Sequence, residues 1–450
     1  MTESLGKHRV VLEVCVLASA TPADAPVLAA LEQAQAGRRE DALAGYRQAA
    51  TAPLTGPAQA CNLAALALGL DLPQEAEAHA RRALALAPGL AQAWVNLGVA
   101  QWRSGRRRDA AQAMARACAL APALEAAALD LARMWRSVGQ PKSACTVLQR
   151  ASAALPRAPR IQQMLAECAR LAGDVGLART AALAALALLR PMLQPTPTVQ
   201  DMPAPATQAD EAAGIERMRA AMAAACDALQ SAGIGHHLVG GVVLGIVRQG
   251  RPFAGDKDVD IGVEFDADRA AVAAAMAAGG FRAIEVPAAA ADPRWCMGYV
   301  HPPTGIGIDL FFKQPVDGKL RICLGWPDGL CYELPLHGVE HVDWCGRTWP
   351  VPAPLKDYLA AEYGSDWQQP CREVAGHSFD KRWYDNTLSS PSLHPDSVPS
   401  AVNLGLLRLL AALQERRWSK ALALCDQLQA RHPLPQVAAL RAQLLAAGVE

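Results

Sequence analysis

Apolar and small side chains recur at helical spacing over residues 23–192, and the recurrence itself repeats every 34 residues. Trp94, Leu97, Gly98, Gly105, Ala110, Met114, Ala117 and Pro122 set the phase. One period later the same places hold Leu131, Ala132, Gly139, Ala144, Leu148, Ala151 and Pro156. Another period gives Leu165, Ala166, Gly173, Ala178, Ala182 and Ala185, with Pro191 one residue late. Going back one period gives Leu63, Ala64, Ala76, Ala80, Ala83 and Pro88, and a weaker first copy shows Gly37, Ala42, Tyr46 and Ala49. The pattern predicts five helix pairs. It stops at Gln194–Gln208, a stretch rich in Pro and Thr that reads as a linker. Beyond it, helical periodicity covers Glu211–Ser231, and a short strand is predicted at 237–239, before Gly240-Gly241. A helix over VVLGIVRQG comes next, then a strand of period two over 258–263. A helix over 267–278, a strand over 281–286 and an apolar strand-like run over 306–312 follow. Near the end, Ala421, Cys425, Leu428 and Pro433 return to the repeat spacing, and a last helix is predicted over 437–447.

Small residues at the closest crossings let two helices of a unit approach, and a proline stops the second helix. A single unit cannot bury its apolar face alone, so units stack. In residue pattern the array resembles the tetratricopeptide repeat. The resemblance implies a solenoid; its concave face is read as binding a protein partner or peptide, with an oligomerisation or packing scaffold as the alternative. The chain thus divides into an N-terminal segment (1–22), the array (23–192), a linker (193–209), a mixed α/β domain (210–390) and a C-terminal helical repeat-like segment (400–450). The overall class is α+β. The first segment, VVLEVCVLASA, carries Glu13 in its middle and reads as local structure rather than a signal peptide.

Charge and composition remove some functions. Acidic and basic residues balance at 43 each, so no global basic field draws nucleic acid or an anionic membrane. Apolar residues make up 52% but aromatics only 5%, as suits small side chains at helix contacts. No uninterrupted apolar run reaches about 18 residues, so no transmembrane span is expected. The scattered cysteines, including Cys61, Cys118, Cys145 and Cys168 at helix-core places, suit reduced, buried thiols of the cytosol better than a disulfide framework.

The candidate chemistry lies at Val239–Val263. Asp258 and Asp260 stand two apart in the predicted strand, so their carboxylates share a face. Close like charges shift each other's pKa unless a cation offsets them, and Mg2+ takes carboxylate oxygens readily. A later acid, Asp309, sits inside the apolar run GIDLFF, where an unpaired carboxylate is costly. Gly240-Gly241 leads into a helix whose N-terminus favours anions.

With GGVVLGIVRQG, DKDVDIGV, GIDLFF and VPAPLKDYLAAEYGSDWQQP in this order, residues 210–385 resemble the fukutin/LicD family, with the DKDVDIGV form on its fukutin side. The resemblance implies a nucleotidyltransferase fold with a small mixed sheet. It also implies transfer of a phosphorylated alcohol, of ribitol phosphate or phosphocholine type, from a CDP-linked donor to a glycan or polysaccharide acceptor. By the same likeness Asp258, Asp260 and Asp309 match the metal ligands, for Mg2+ or Mn2+, and the catalytic acids. Gly240 and Gly241 match the phosphate-cradling turn, although many relatives have Gly-Thr there. Arg248 matches a basic residue that meets the diphosphate. Lys257 replaces an acid of the common run, which lowers the weight on Asp256 as a ligand. Tyr363 and Trp367 match the C-terminal substrate-side segment, together with Gly364 and Pro370.

Two other readings stand beside this one: a nucleotidyltransferase placing NMP on a small molecule or protein, and a tetratricopeptide interaction protein with an inactive transferase domain. Cys296, Cys323, Cys331, Cys345 and Cys371 lie near His301, His337 and His341, and some family members carry zinc. No C-x2-C pair is present, so ordinary thiols are the favoured reading over a zinc site. The expected location is cytoplasmic, with peripheral association at the inner membrane through the array left open.

Overall fold

The computed structural model describes residues 10–18, 25–196, 208–253, 258–284, 292–369, 388 and 390–449. The chain forms two compact units, Arg9–Cys168 and Ala169–Glu450, and the division falls inside one helix.

The first unit is the repeat array. Its helices pair as α1 (Ala25–Gln35) with α2 (Arg39–Thr51), α3 (Pro57–Gly69) with α4 (Pro73–Leu86), α5 (Ala91–Arg103) with α6 (Arg107–Leu120), and α7 (Glu125–Ser137) with α8 (Pro141–Ala154). A fifth pair, α9 (Pro159–Leu171) and α10 (Val175–Leu189), continues past the division. The 34-residue phase has a direct physical basis. Ala42, Ala76, Ala110, Ala144 and Ala178 occupy one repeated place, and each is at most 1% exposed. In the third pair a Cβ on Gly98 would lie 3.0 Å from Met114 Cγ and 3.2 Å from the Ala110 carbonyl oxygen. The helix axes there are as close as small residues permit. Four of the five turns within pairs place a glycine in the left-handed region, and Asp71 (φ 61°) holds that place in the second pair.

The second unit holds a mixed sheet. Its strands are β1 (His236–Val239), β2 (Asp258–Glu264), β3 (Arg282–Ala283), β4 (Cys296–Val300), β5 (Gly307–Val316), β6 (Lys319–Cys323) and β7 (Cys331–Pro335). They run in the order β1-β2-β5-β4-β3, with β6 and β7 added on the far half of β5. Among the described residues, β2 and β5 pair in parallel and the other strand pairs of this sheet run antiparallel. A separate hairpin joins β8 (Gly338–Trp344) to β9 (Arg347–Ala353). Helices α11 (Gln208–Ser231), α12 (Gly240–Gln249), α13 (Arg269–Ala278) and α14 (Leu355–Tyr363) share one core with the sheet. The predicted helices of this region are present, and the strand expected over 281–286 is described only as β3. Strand β4, strands β6 to β9 and helix α14 fall where the hydrophobic pattern names no element. In β8 burial alternates from Val339 to Trp344, but one of the half-buried places is Glu340 and Val339 is exposed, so the residue types do not announce it.

The unit is completed by α15 (Val398–Gln414), α16 (Trp418–Arg431) and α17 (Pro435–Ala446). α10 packs against α15 and α17. The span Val175–Met192, which contains α10, is long and apolar enough by composition to cross a membrane, with a mean hydropathy of 1.3. Within this unit its alanine face, Ala178, Ala181, Ala182 and Ala185, is buried. Arg179 Nε donates to Asn403 Oδ1 at 2.6 Å, and Asn403 Nδ2 donates to the Val175 carbonyl at 2.8 Å.

Candidate functional site

The register of β2 on β5 sets Asp260 opposite Asp309 and Asp258 opposite Gly307. Side chains alternate across a strand, so the three carboxylates project from one face. Val259, Ile261, Ile308 and Leu310 take the other face and are fully buried. The neighbouring strands put Val239 of β1 beside Asp260 and Gly298 of β4 beside Asp309. Just after Val239 the chain turns at Gly240, whose φ is 68°. A Cβ there would lie 2.6 Å from Asp260 Oδ2, and one on Gly298 would lie 3.1 Å from Asp309 Oδ1. Glycine is required at the first place by conformation and by contact. Asp309 is 1% exposed. Burial, with the Asp258 charge adding to it, pushes its carboxyl up to about 6.

A second polar cluster lies on the same sheet face. Lys313 follows Asp309 by four residues on β5, so it points the same way. It is 4% exposed. Its Nζ donates to His237 Nε2 at 2.8 Å and to His337 Nε2 at 3.2 Å. His337 Nδ1–H donates to the Gly338 carbonyl at 3.0 Å, which leaves Nε2 as the acceptor. A Cβ on Gly262 would lie 2.6 Å from Lys313 Cε and 2.7 Å from His237 Nε2, so this cluster too depends on a glycine. Burial pushes Lys313 down to about 7, and the Glu362 charge opposes the fall. Burial pushes Glu362 up. Burial, helped by Lys313, holds His337 down to about 4 and His237 far below its ordinary value.

Tyr358 of α14 connects the two clusters. Its hydroxyl accepts the Gly240 N–H at 3.1 Å and bonds to Glu362, one turn further along the helix. The Lys313 ammonium lies 5.5 Å from the centre of its ring. The glycine turn beside Asp260 is thereby tied to the buried lysine through one tyrosine.

The structure therefore brings together Asp258, Asp260, Asp309 and the Gly240-Gly241 turn. Among the described residues, no three His, Cys, Asp or Glu side chains are arranged to hold a metal ion. The register brings the carboxylates to one face without closing them on a centre. Arg248 stands at the opposite end of α12 from Gly240, its guanidinium 5.0 Å from the Phe253 ring centre. Tyr363 and Trp367 are core residues, 5% and 6% exposed. Asp256, Lys257, Pro370 and Cys371 lie outside the described residues. Cys323 and Cys331 correct the expectation of reduced thiols throughout, because register partners on β6 and β7 join in a disulfide. That bond also takes both sulfurs away from any zinc set. Sequence reasoning passed over Lys313, Tyr358 and Glu362. The available signal was a lysine in phase with Asp309 at the end of an apolar run, and a Tyr-x3-Glu spacing on one helix face.

The chain is thus a tetratricopeptide-like helical repeat array followed by a small mixed-sheet domain. No family profile matches it, and no curated protein matches it. Among solved structures it is similar to MamA, at 20% identity and a TM-score of 0.32, over 36% of this chain and 95% of that one. It is similar to PilW, a type IV pilus biogenesis factor, at 22% identity and a TM-score of 0.33, over 39% of this chain and 81% of that one. A thermophilic TPR protein of Thermus thermophilus matches at 21% identity and a TM-score of 0.31, over 37% of this chain and 91% of that one.

Proposed function

We propose that the mixed-sheet domain is a metal-dependent transferase that moves a phosphorylated alcohol from a CDP-linked donor to a glycan acceptor, and that the array docks a protein partner. The observation that carries this reading is the register of Asp260 on Asp309, with Asp258 on the same face and the Gly240 turn against Asp260. The donors are all carboxylate oxygens, which suits a hard cation such as Mg2+ or Mn2+. Asp258, Asp260 and Asp309 would hold it by closing from the shared face on which the register sets them, and bound there it would supply charge neutralisation on the diphosphate and on the departing CMP. Asp309 is driven toward neutrality by burial, so a cation beside it would remove a real cost.

The chain's own residues supply the rest. The Gly240-Gly241 turn opens α12, and a helix N-terminus favours phosphate oxygens. Tyr358 fixes that turn through the Gly240 amide. One of the three acids takes the proton of the attacking hydroxyl. In the family likeness, Lys257 adds positive charge for the diphosphate, whereas Arg248 stands at the far end of α12 from the turn.

The test is calorimetric titration of the full chain with CDP-ribitol and CDP-choline in Mg2+, with ATP as the comparison, followed by turnover assays. Saturable CDP-donor binding is expected, with transfer abolished in folded Asp258→Ala and Asp260→Ala variants. Undiminished turnover in either variant would sink the assignment. Binding of ATP alone would support the NMP-transfer reading, and binding of neither would leave an interaction protein.

A further inference from the structure

Residues 10–18 run in an extended conformation along the repeat array, held by side chains that recur at its own period. Asn62, Asn96 and Asp130 stand 34 residues apart, at one place on α3, α5 and α7, and each is 0% exposed. Asn62 Oδ1 accepts the Leu17 N–H at 2.7 Å, and its Nδ2 donates to the Leu17 carbonyl at 2.9 Å. Asn96 does the same one unit further along, accepting the Cys15 N–H and donating to the Cys15 carbonyl, both at 2.8 Å. Asp130 Oδ2 accepts the Glu13 N–H at 2.8 Å. Each repeat therefore advances the segment by two residues, about 7 Å of extended chain. Amides of alternate residues point the same way in such a chain, so those of Glu13, Cys15 and Leu17 face the ladder together.

All five bonds go to backbone atoms. Two asparagines reproduce the paired N–H and C=O contacts that a neighbouring β-strand would supply, as in strand-addition recognition. Side-chain selection enters at Glu13. Arg133 Nη1 bonds its carboxylate at 2.9 Å, and Arg160 pairs with it as well. Burial raises the Glu13 carboxyl, but the two arginines outweigh it and hold it below its usual value. Outward from the ladder, Val11, Val14 and Val16 are exposed at 77%, 36% and 41%. Leu12 and Cys15, 7% and 8% exposed, are buried in the array's core, so apolar burial and the ladder together fix the path of the segment.

We propose that the Asn62–Asn96–Asp130 ladder is a docking groove for an extended peptide, occupied in cis by residues 10–18. An incoming segment of the same chemistry exchanges with that occupant. Its chemistry is an extended strand with a carboxylate at the Glu13 place and small or apolar residues two and four positions on. The resident segment keeps the groove closed to weaker competitors. Every residue involved lies in the array, so the inference stands apart from the transferase reading.

Two measurements on the full chain test it. The first is hydrogen exchange on the unaltered protein. Slow exchange is expected at the amides of Glu13, Cys15 and Leu17, with faster exchange at Val14 and Val16, whose amides point away. Uniformly fast exchange across the five would overturn the proposal. The second uses a fluorescent peptide, RVVLEVCVLA, copied from residues 9–18. It is titrated into the unaltered chain and into a full-length Cys15→Pro/Leu17→Pro variant, because proline cannot donate the two amides. The peptide should bind the variant about tenfold more tightly than the unaltered chain, the order expected when two hydrogen bonds no longer compete. Adding Asn96→Ala to the variant should weaken binding about tenfold, and so should a glutamine in place of the peptide's glutamate. Equal binding to both chains, or indifference to Asn96→Ala, would overturn it; concentration-dependent pairing of the variant chains would show a second copy as the incoming segment and support it.

Discussion

At the scale of single residues, the sheet face beside Gly240 is defined by charges that burial disfavours. Asp309, Lys313, His237 and His337 are all shifted toward their neutral forms, and burial is the leading cause in each. The histidines give a prediction with a definite sign. His337 is held down to about 4, below its ordinary value near 6.5. Between those two pH values the unfolded chain takes a proton that the folded chain refuses, so stability falls as pH drops from about 6.5 to about 4. His237 acts in the same direction. Asp309, pushed up to about 6, takes a proton in the fold that the unfolded chain refuses over the same range and works the other way, so the sign belongs to the histidines alone: between pH 7 and pH 4.5 the thermal midpoint of His337→Gln should lose less, or gain more, than that of the parent. An unchanged slope would show that His337 is freely protonated in the fold. The acids of this face were legible in the sequence, because period two places Asp258 and Asp260 together whatever lies around them. Lys313, Tyr358 and Glu362 were not, since their meeting depends on a helix that arrives some fifty residues later.

At the scale of elements, the array is governed by one repeated alanine. Ala110 is 0% exposed between α5 and α6, and the Gly98 site opposite leaves no spare room. Ala110→Leu should cost about 1–3 kcal/mol by overpacking, read as a lower urea midpoint with an unchanged slope. A variant as stable as the parent would mean that this crossing relaxes freely. These helices could be read from the chain because their signal is local and recurs five times. Strands β4 and β6 to β9 could not: β7 shows no alternation of burial along its length, and β9 carries two prolines, which read against a strand until its hairpin with β8 is seen. The extended path of residues 10–18 was equally hidden. VVLEVCVLA is consistent with many conformations until Asn62, Asn96 and Asp130 are lined up to receive its backbone.

At the scale of the molecule, each compact unit has its own means of closing. In the C-terminal unit the end of α9 is tied to the loop after β6 by a buried ion pair, Arg170 Nε to Asp328 Oδ2 at 2.8 Å. Arg170 also lies 4.9 Å from the Trp326 ring centre. Ser400 Oγ of α15 donates to the Asp328 carbonyl at 2.6 Å, so α9 and α15 meet on that loop. Removing the cation leaves a buried carboxylate that burial already pushes up. Arg170→Met should therefore cost about 3–5 kcal/mol, while Arg170→Met combined with Asp328→Leu should recover most of the loss. Chemical denaturation of both variants checks this, and equal losses in the two would mean that packing rather than charge holds the joint.

The sequence alone determined the repeat array, helices α11 to α13 of the mixed domain and the shared face of Asp258 and Asp260. Each is a consequence of periodicity within one stretch, and the 3.6- and 2-residue periods need no partner to be read. Only the tertiary structure decided that Asp309 lies opposite Asp260, that Tyr358 ties the Gly240 turn to Lys313, and that residues 10–18 fill the asparagine ladder. Those are matters of register and long-range packing, in which distant segments meet because burying one face of each leaves a single arrangement with its polar groups paired.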